Sequence, residues 1–443
     1  MNKKPTVLLS CSLKFESPQG RQEAEALLTD NAFEFKPKYG DAKTYSYREI
    51  LKIQAADYRL SVQVKDEKLD LLHLGNKYED FVRVLIGQRN ETIINDLLMQ
   101  ERVRRGGIAA ICSVKGDQGK EVDLGNCELR LCDTALLIIP DYHEPVRVPY
   151  SFVTSVQADG YILHIRTEDG VYSLSKLGRE FTPFSDDFDA ARQELMAKAQ
   201  GLLRELAPTA APAAIHQAAG LMGEGRAVRR RDIEQIDPAM WKSFERQLDV
   251  AGIRQEYEFL TALAGTDQQC IGFKQDLAQK DSPYLWFLIP IPGSNAIAME
   301  ATSSAEAGRA TYFFRIVSRE QFPKLKKDIM AKAEDLVMEI NRCMLAINFR
   351  REPIYLAEEK LTEPRYLKYY YSVLRLPELQ KLRRLFIGRV FHREQAQWEQ
   401  DTRELLAFNA ASRDDAAKWA KATSEPDADE ENGASEEAPE NGG

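Results

Sequence analysis

Apolar and polar residues alternate along several short stretches in the first half of the chain. Over residues 161–167 the apolar side chains of Tyr161, Leu163 and Ile165 alternate with polar ones, and this period of two predicts a strand with one buried face. Comparable patterns predict strands at 128–140, 146–156 and 171–177. The sequence Glu168-Asp169-Gly170 predicts a tight hairpin turn, because glycine tolerates the positive φ that such turns need.

The period changes to that of a helix after a Leu-Gly pair that occurs twice. After Leu177-Gly178, apolar side chains recur on one face of a predicted helix at Phe188, Ala191, Leu195, Ala199 and Leu202. After Leu74-Gly75, a similar helix is predicted from Phe81, Val84, Leu85, Ile93, Leu97 and Leu98. Each run of predicted strands therefore ends in one amphipathic helix.

These two regions are copies of one another. Residues 25–91 align without a gap onto 128–194 at a constant offset of 103, and 18 of the 67 aligned positions are identical. One fixed offset of this length indicates two copies of a domain rather than a solenoid, whose repeating units are shorter. We predict that copy one covers 1–105 and that copy two covers 106–206.

About a hundred residues of antiparallel strands closed by one amphipathic helix resemble the pleckstrin-homology-like fold. The resemblance rests on the order of the elements and on the Leu-Gly step into each helix, at Leu74-Gly75 and Leu177-Gly178. The chain looks most like bacterial proteins with tandem domains of this type. The resemblance implies two partly open β-barrels that bind phospholipid, peptide or protein, and it rarely implies catalysis.

The second half of the chain predicts a different organisation. The Ala- and Pro-rich start of residues 207–235 predicts a linker. A third α+β domain is predicted over 236–350, with a helix over 237–263, several strands and a long helix that ends near Ile347. The apolar run 284–290 predicts a strand that is buried on both faces. Strands followed by a long helix leave two alternatives open, a diverged third copy or an unrelated domain.

Residues 351–410 predict a mostly helical segment. Pro377 fits the first turn of a helix whose apolar face would contain Leu379, Leu382, Phe386 and Val390. Basic residues flank this face at Lys381, Arg383, Arg384, Arg389 and Arg393. A basic amphipathic helix fits an anionic membrane surface or an acidic partner. The alternative is a core helix with a solvated basic edge.

The negative charge of the chain is concentrated at its end. The formal net charge is −9, and eight Asp and Glu residues without a compensating Lys or Arg lie after residue 424. A segment of this composition buries too little apolar surface to offset its ordering entropy, so a disordered acidic tail is predicted over 411–443. The nearly neutral remainder argues against a nucleic-acid-binding protein, and no nucleic-acid partner is expected.

Targeting and catalytic motifs give only negative expectations. The apolar stretches are too short for a transmembrane helix or a secretion signal, so we expect a cytoplasmic protein, or one peripheral to the inner membrane face. The six cysteines lack the spacing of a zinc or redox motif, and we expect them to be reduced. Without a nucleotide-binding loop or nucleophile elbow, we expect no cofactor, no metal and no catalytic residue.

A difference between the copies suggests one ligand site. Copy one carries a group of basic residues around one turn: Lys36, Lys38, Lys43 and Arg48. Copy two has Ile139, Asp141, Val146 and Ser151 at the matching positions. Many pleckstrin-homology-like domains that bind phosphate carry Lys and Arg on the first strand pair, so the resemblance implies that copy one could hold an anion. The alternative is a chance cluster of lysines on a loop.

These observations predict a non-enzymatic α+β protein in which tandem pleckstrin-homology-like domains act as a scaffold for a protein partner. Two further hypotheses remain open. One is a peripheral membrane protein that binds anionic lipid. The other is an enzyme with its site in residues 236–350.

Overall fold

Residues 5–17, 20–64, 67–96, 101–116, 119–265, 267–274, 284–302, 309–322, 324–325, 328–347 and 349–410 are described by a computed structural model. Their contacts divide the chain into two compact units. The first unit comprises Met1–Leu195 and Ala346–Gln380, and the second comprises Met196–Leu345 and Lys381–Gly443. The chain thus leaves the first unit, returns to it and leaves again. The predicted acidic tail, 411–443, lies outside the described residues.

Copy one consists of seven strands and one helix. The strands are Val7–Ser17 (β1), Gly20–Thr29 (β2), Ala32–Pro37 (β3), Lys43–Ser46 (β4), Ile50–Ala56 (β5), Arg59–Val64 (β6) and Lys68–Leu72 (β7), and the helix is Tyr78–Asp96 (α1). The strands form one sheet in the order β4-β3-β2-β1-β7-β6-β5. The long first strand pairs with both β2 and β7, and every pair is antiparallel.

Copy two repeats this arrangement. Its strands are Val103–Gly116 (β8), Glu121–Cys132 (β9), Ala135–Pro140 (β10), Val146–Pro149 (β11), Val153–Asp159 (β12), Ile162–Thr167 (β13) and Gly170–Ser175 (β14), and its helix is Phe181–Leu206 (α2). The sheet order, β11-β10-β9-β8-β14-β13-β12, matches that of copy one strand for strand. The predicted α+β class and the predicted duplication are confirmed at the level of two seven-stranded antiparallel sheets, each followed by a helix.

Each sheet curves around an apolar core that its own helix covers. In copy one, Phe81 at the start of α1 lies against Phe33 of β3 with ring centroids 6.2 Å apart. In copy two, Phe188 of α2 contacts Tyr150 at 5.4 Å. All four of these side chains are buried, and each contributes about 1.5–3 kcal/mol by leaving water. The apolar residues of the alternating pattern in the sequence therefore lie on the inward face of each sheet.

Gly170 occupies the predicted hairpin turn between β13 and β14, where Thr167 pairs with Gly170. Its φ is 151°, a conformation that side-chain-bearing residues rarely adopt. A Cβ atom there would also collide with the carbonyl oxygen of Lys115 on the neighbouring strand β8. Both the turn and the close approach of β8 therefore require glycine.

The second unit is built on a third sheet. Its strands are Val228–Arg229 (β15), Cys270–Lys274 (β16), Tyr284–Ile291 (β17), Ala296–Thr302 (β18), Ala310–Arg315 (β19) and Phe386–Phe391 (β20). They lie side by side in chain order, and all pairs are antiparallel. This order differs from the one shared by the first two sheets, in which β1 or β8 is central. The topology of the described strands therefore does not match a third copy.

Helices surround this sheet. They are Pro212–Met222 (α3), Arg230–Ile236 (α4), Pro238–Ala251 (α5), Arg254–Ala264 (α6), Ile329–Ala346 (α7) and Gln395–Ala410 (α12). Phe244 of α5 contacts Phe273 at 5.0 Å, and Tyr257 of α6 contacts Phe287 at 5.6 Å. Seven of the eight residues of β17 are buried, which confirms the predicted strand with two covered faces.

Residues 207–235 are not the linker that their composition predicted. Pro212 begins α3 at its first turn, where its missing N–H is not needed. The side chains of Ile215, Ala218, Ala219 and Met222 are buried in the core of the second unit. Alanine-rich sequence favours a helix in which these small side chains pack closely, so the Ala and Pro content marks a helix here.

Residues 351–410 contain a strand as well as helices. The helices before this strand are Glu352–Tyr355 (α8), Glu358–Leu361 (α9), Leu367–Arg375 (α10) and Pro377–Leu385 (α11). The predicted basic helix stops at Leu385, and Phe386–Phe391 becomes β20, paired with β19. The helix prediction was therefore wrong for Phe386, Val390, Arg389 and Arg393. Among the described residues, no helix combines the length and apolarity that a membrane span requires.

Candidate functional site

The four basic residues that the sequence singled out in copy one do not converge on one site. Lys36 and Lys38 are exposed on and just after β3. The Lys43 ammonium lies 2.7 Å from a carboxylate oxygen of Glu67. The Arg48 guanidinium forms a two-pronged pair with Asp96 at 2.5 and 2.8 Å. Only Lys36 and Lys38 therefore share an exposed surface. The Arg48 side chain is paired with Asp96 of the same copy.

A shallow groove of about 420 Å³ lies on the outer surface of copy one. It is lined by polar side chains of three neighbouring strands, and we call this surface the open face: Ser12, Lys14, Glu23, Glu25, Lys36 and Lys38. All six residues are exposed, and His73 completes the lining. The strand register sets Lys14 opposite Glu23 and Glu25 opposite Lys36. Cross-strand neighbours on the open face therefore carry opposite charges.

The open face carries three lysines and two glutamates, so both signs of charge are present. Lys38 donates a hydrogen bond to Glu23 at 2.8 Å. This hydrogen bond and the lysine charge lower the pKa of the Glu23 carboxyl, and the same contact raises the pKa of Lys38. Both groups are therefore ionised near neutral pH. An added multivalent anion would meet Glu23 and Glu25 among the lysines, so the face differs from the single-sign patch that a phosphate group favours.

In copy two the outer side of the third strand, β10, is covered. Leu137 and Ile139 on β10 occupy the positions of Glu34 and Lys36, and they are only 2% and 9% exposed. Together with Cys132 they form a small apolar cluster with Ile93 and Ile94 of α1. The strands β9 and β10 of copy two thus pack on the helix of copy one, and we call this contact the joint. The isoleucine at 139 and the lysine at 36 differ because one is inside the joint and the other faces water.

Polar groups complete the joint. Arg89, only 3% exposed, donates from Nε to the carbonyl of Ile50 at 2.8 Å and from Nη2 to that of Leu51 at 2.6 Å. Its Nη2 also pairs with Glu144 of copy two. Nearby, Glu91 of α1 accepts a hydrogen bond from Arg130 of copy two at 2.6 Å. Both pairs that cross between the copies are charge-assisted, and their carboxylates are partly exposed, so they add orientation to the apolar contact of the joint.

Residues 346–380, which we call the returning segment, form hydrogen bonds with copy one beside the joint. The Ser372 hydroxyl of α10 donates to the backbone carbonyl of Asp96 at 3.0 Å. Arg375 donates from Nη2 to the carbonyls of Arg48 and Ile50 at 2.9 and 3.0 Å. Burial, followed by the nearby Arg89, lowers the pKa of Arg375 to about 10. Arg48, proposed from the sequence as an anion ligand, thus lies in a structural network between α1 and the returning segment.

The five basic residues proposed near the C-terminus do not form one surface of one helix. Lys381, Arg383 and Arg384 lie on α11, Arg389 lies on β20, and Arg393 follows that strand. The Lys381 ammonium lies 2.9 Å from a carboxylate oxygen of Glu339 on α7. The Arg389 guanidinium stacks over the ring of Phe391, 4.4 Å from its centroid. The change from helix to strand separates these side chains, because the two elements present side chains with different periods.

The second unit contains a polar cluster that the sequence did not predict, and we call it the His392 cluster. Nε2 of His392 lies 3.2 Å from a carboxylate oxygen of Glu300, and Nδ1 lies 3.4 Å from one of Glu256. The Thr311 hydroxyl donates to Glu300 at 2.9 Å and lies 3.1 Å from Nε2 of His392. Its members come from β18, β19, α6 and the end of β20. The one sequence signal is a single carboxylate in the apolar strand 296–301.

The His392 cluster is sealed from solvent at its centre. Thr311 is 0% exposed and Glu300 is 1% exposed. Burial alone would lower the pKa of the His392 imidazole, but the hydrogen bond and charge of Glu300, with Glu256, outweigh it and raise that pKa. Burial and then the charge of Glu300 raise the pKa of Glu256. The side chains of His392 and Glu256 are 13% and 12% exposed, so the cluster reaches solvent on that side only.

The structure adds one observation on metals. Among the described residues, no group of three or more His, Cys, Asp or Glu is arranged to hold a metal ion. This includes Cys127, Cys132 and His143 of copy two. Burial raises the pKa of the Cys127 and Cys132 thiols to about 12, so neither is a ready thiolate ligand near neutral pH.

Comparison with known proteins adds little to this geometry. No family model matches the chain, and no curated protein matches it. Among solved structures, one match is described as the structure of the Spt16D Pob3N heterodimer. It is 14% identical, covers 36% of this chain and 82% of that one, and has a TM-score of 0.16. A likeness of this size carries no argument about fold or function.

Proposed function

We propose that this chain is a non-enzymatic scaffold protein with two tandem pleckstrin-homology-like domains, and that the open face of copy one binds a protein partner. One observation carries the proposal: the outer side of the third strand is buried in copy two, at Leu137 and Ile139, whereas in copy one Lys36 of that strand is exposed and lines a groove. Copy two then acts as a fixed support, and copy one presents the binding surface.

The charges on the open face favour a polypeptide over a membrane. Lysines on β1 and after β3 flank the glutamates of β2, so positive and negative groups alternate across the groove. An anionic bilayer attracts clusters of Lys and Arg without interspersed carboxylates. A protein surface can match both signs, and complementary charges of this kind give specificity and orientation.

The partner can be identified and tested with the full chain. A photo-crosslinking residue is placed at Ser12 in the groove and, as a control, at the exposed Thr154 of copy two. We expect one protein to crosslink from position 12 and not from position 154. The purified partner is then titrated against the wild type and against Lys36→Glu/Lys38→Glu, for which we expect at least a tenfold loss of affinity.

Two controls decide between the hypotheses. Lys52→Glu/Lys120→Glu makes the same charge change at exposed lysines that do not line the groove, and its affinity should match the wild type. Sedimentation with phosphatidylserine vesicles at low salt provides the second control. Vesicle binding that is lost in Lys36→Glu/Lys38→Glu would replace the protein partner with a lipid surface. Equal partner affinity for both double variants would overturn the proposal.

A further inference from the structure

His392 is placed between two carboxylates at the edge of the third sheet. It follows β20 directly, and its backbone N–H donates to the carbonyl of Arg309 at 2.9 Å, which extends the β19–β20 ladder. Its ring contacts Trp398 of α12 at 5.5 Å. Among the described strands, β20 pairs only with β19. The imidazole thus links the edge strand to α6, β18, β19 and α12.

The geometry of the ring requires an extra proton. Each ring nitrogen of His392 faces a carboxylate oxygen, Nε2 toward Glu300 and Nδ1 toward Glu256. A carboxylate only accepts hydrogen bonds, and a neutral imidazole has one N–H and one lone pair. If the ring were neutral and both glutamates were ionised, the lone pair of the unprotonated ring nitrogen would face a carboxylate oxygen. The arrangement is satisfied when a second proton is present, on the ring or on Glu256.

Other groups around the ring do not supply this proton. The Thr311 hydroxyl is already engaged, since it donates to Glu300 and accepts from the Trp398 indole at 3.3 Å. The second oxygen of Glu300, Oε1, is buried and has no hydrogen-bond partner among the residues that the structure describes. Arg309 is the nearby cation, and its charge opposes protonation of both His392 and Glu256. Loss of the extra proton would therefore leave the buried Glu300 carboxylate without its closest counter-charge, which is costly in a low-dielectric site.

We propose that the His392 cluster is a buried proton-binding site that holds β20 against the third sheet and loosens this edge strand as the pH rises. The proton belongs to the His392–Glu256–Glu300 group as a whole, as expected for closely coupled sites. The folded state binds it more tightly than the unfolded chain, since the pKa values of His392 and Glu256 are both raised. Stability from the cluster is therefore full at acidic pH and is lost as the pH rises through the raised pKa of His392.

The test follows the edge strand in the full chain by amide hydrogen exchange from pH 5.5 to 8.5. After correction for the intrinsic pH dependence of exchange, we expect the protection of Phe386–Phe391 to fall by up to about tenfold per pH unit for one released proton. His392→Gln keeps a hydrogen-bonding side chain that does not titrate, so its corrected profile should be flat. Tryptophan emission gives a second readout because Trp398 touches the ring.

Two further variants keep the test decisive. His216→Gln changes an exposed histidine of α3 in the same unit and should retain the wild-type profile. Glu256→Gln removes the carboxylate opposite Nδ1 at the partly exposed side of the cluster, so a reduced slope is expected even if His392→Gln fails to fold. A flat wild-type profile, or the same slope in the wild type and in Glu256→Gln, would overturn the proposal.

Discussion

Copy one and copy two share a fold but use one surface in opposite ways. On the outer side of β10, Leu137 and Ile139 are buried in the joint, whereas Glu34 and Lys36 at the same positions of copy one face water. The inner sides of both strands carry apolar residues in the same places. The comparison teaches that the duplicated sequences diverged according to which surface became covered. A basic residue present in one copy and absent from the other is therefore weak evidence for a ligand.

The largest expected effect comes from giving copy two the residue of copy one inside the joint. Leu137→Glu would bury a carboxylate against Ile93 and Ile94, and we expect it to lower the free energy of unfolding of the first unit by about 4 kcal/mol. The reverse change, Glu34→Leu, alters a half-exposed position and should cost less than about 0.5 kcal/mol.

Hydrogen exchange of α1 and β10 can measure this difference within the first unit. Tryptophan emission serves as an internal control, since Trp241, Trp286 and Trp398 lie in the second unit and the sequence of the first unit contains no tryptophan. Equal costs for the two substitutions would mean that the joint is not formed in solution.

A smaller effect is expected from an arginine that both copies share. Arg89→Met keeps the side-chain stem but removes hydrogen bonds to two carbonyls and the pair with Glu144, so we expect a loss of about 2–3 kcal/mol. Arg192, the same residue in copy two, lies near Asp189 with 29% of its side chain exposed. Arg192→Met should therefore change the unfolding free energy by less than about 0.5 kcal/mol. Urea unfolding followed by hydrogen exchange of α1 compares the two variants, and a larger loss for Arg192→Met would contradict the comparison.

The smallest effect concerns the rim of the joint. Glu144 pairs with the buried Arg89, but 47% of its own side chain is exposed, so solvent screens the interaction. We expect Glu144→Gln to cost about 0.5–1 kcal/mol at low salt and less at 1 M salt. Asp41→Asn at the matching, exposed position of copy one is the control and should be neutral. The two variants are compared by thermal unfolding at both salt concentrations, and an equal shift in both would place Glu144 outside the joint.

Local patterns in the sequence were sufficient to predict the repeated domains. The alternation of Leu163 and Ile165, the glycine turn and the offset of 103 are short-range signals that depend on the residues themselves. The joint depends on which surfaces of folded copies meet, and that information is not local. The apolar run Leu136–Ile139 was nevertheless a readable sign of a strand covered on both faces. It was assigned to a predicted strand, but its covered outer face was not recognised.

The remaining errors have a similar origin. The spacing of Leu379, Leu382, Phe386 and Val390 fits the period of a helix. Residues Phe386–Phe391 nevertheless form a strand, because they pair with β19. Gly388 weakened the helix prediction, and the aromatic residues at 386 and 391 favoured a strand. The His392 cluster joins residues 256, 300, 311 and 392, and no spacing along the chain brings these together. Only the carboxylate of Glu300 within an apolar strand hinted at it.

The returning segment has a consequence for how the protein is made. The first part of the first unit ends at Leu195, and the second part ends at Gln380. The ribosome therefore adds 185 residues after Leu195 before the first unit is complete. At roughly 5–20 residues per second, Ser372 and Arg375 are synthesised about ten to forty seconds after the two copies. During that interval the carbonyl groups of Ile50 and Asp96 lack two of their final hydrogen-bond donors. The strands and helices of the two nascent copies can therefore form before these last hydrogen bonds do, and the last step of their assembly follows most of the synthesis of the second unit.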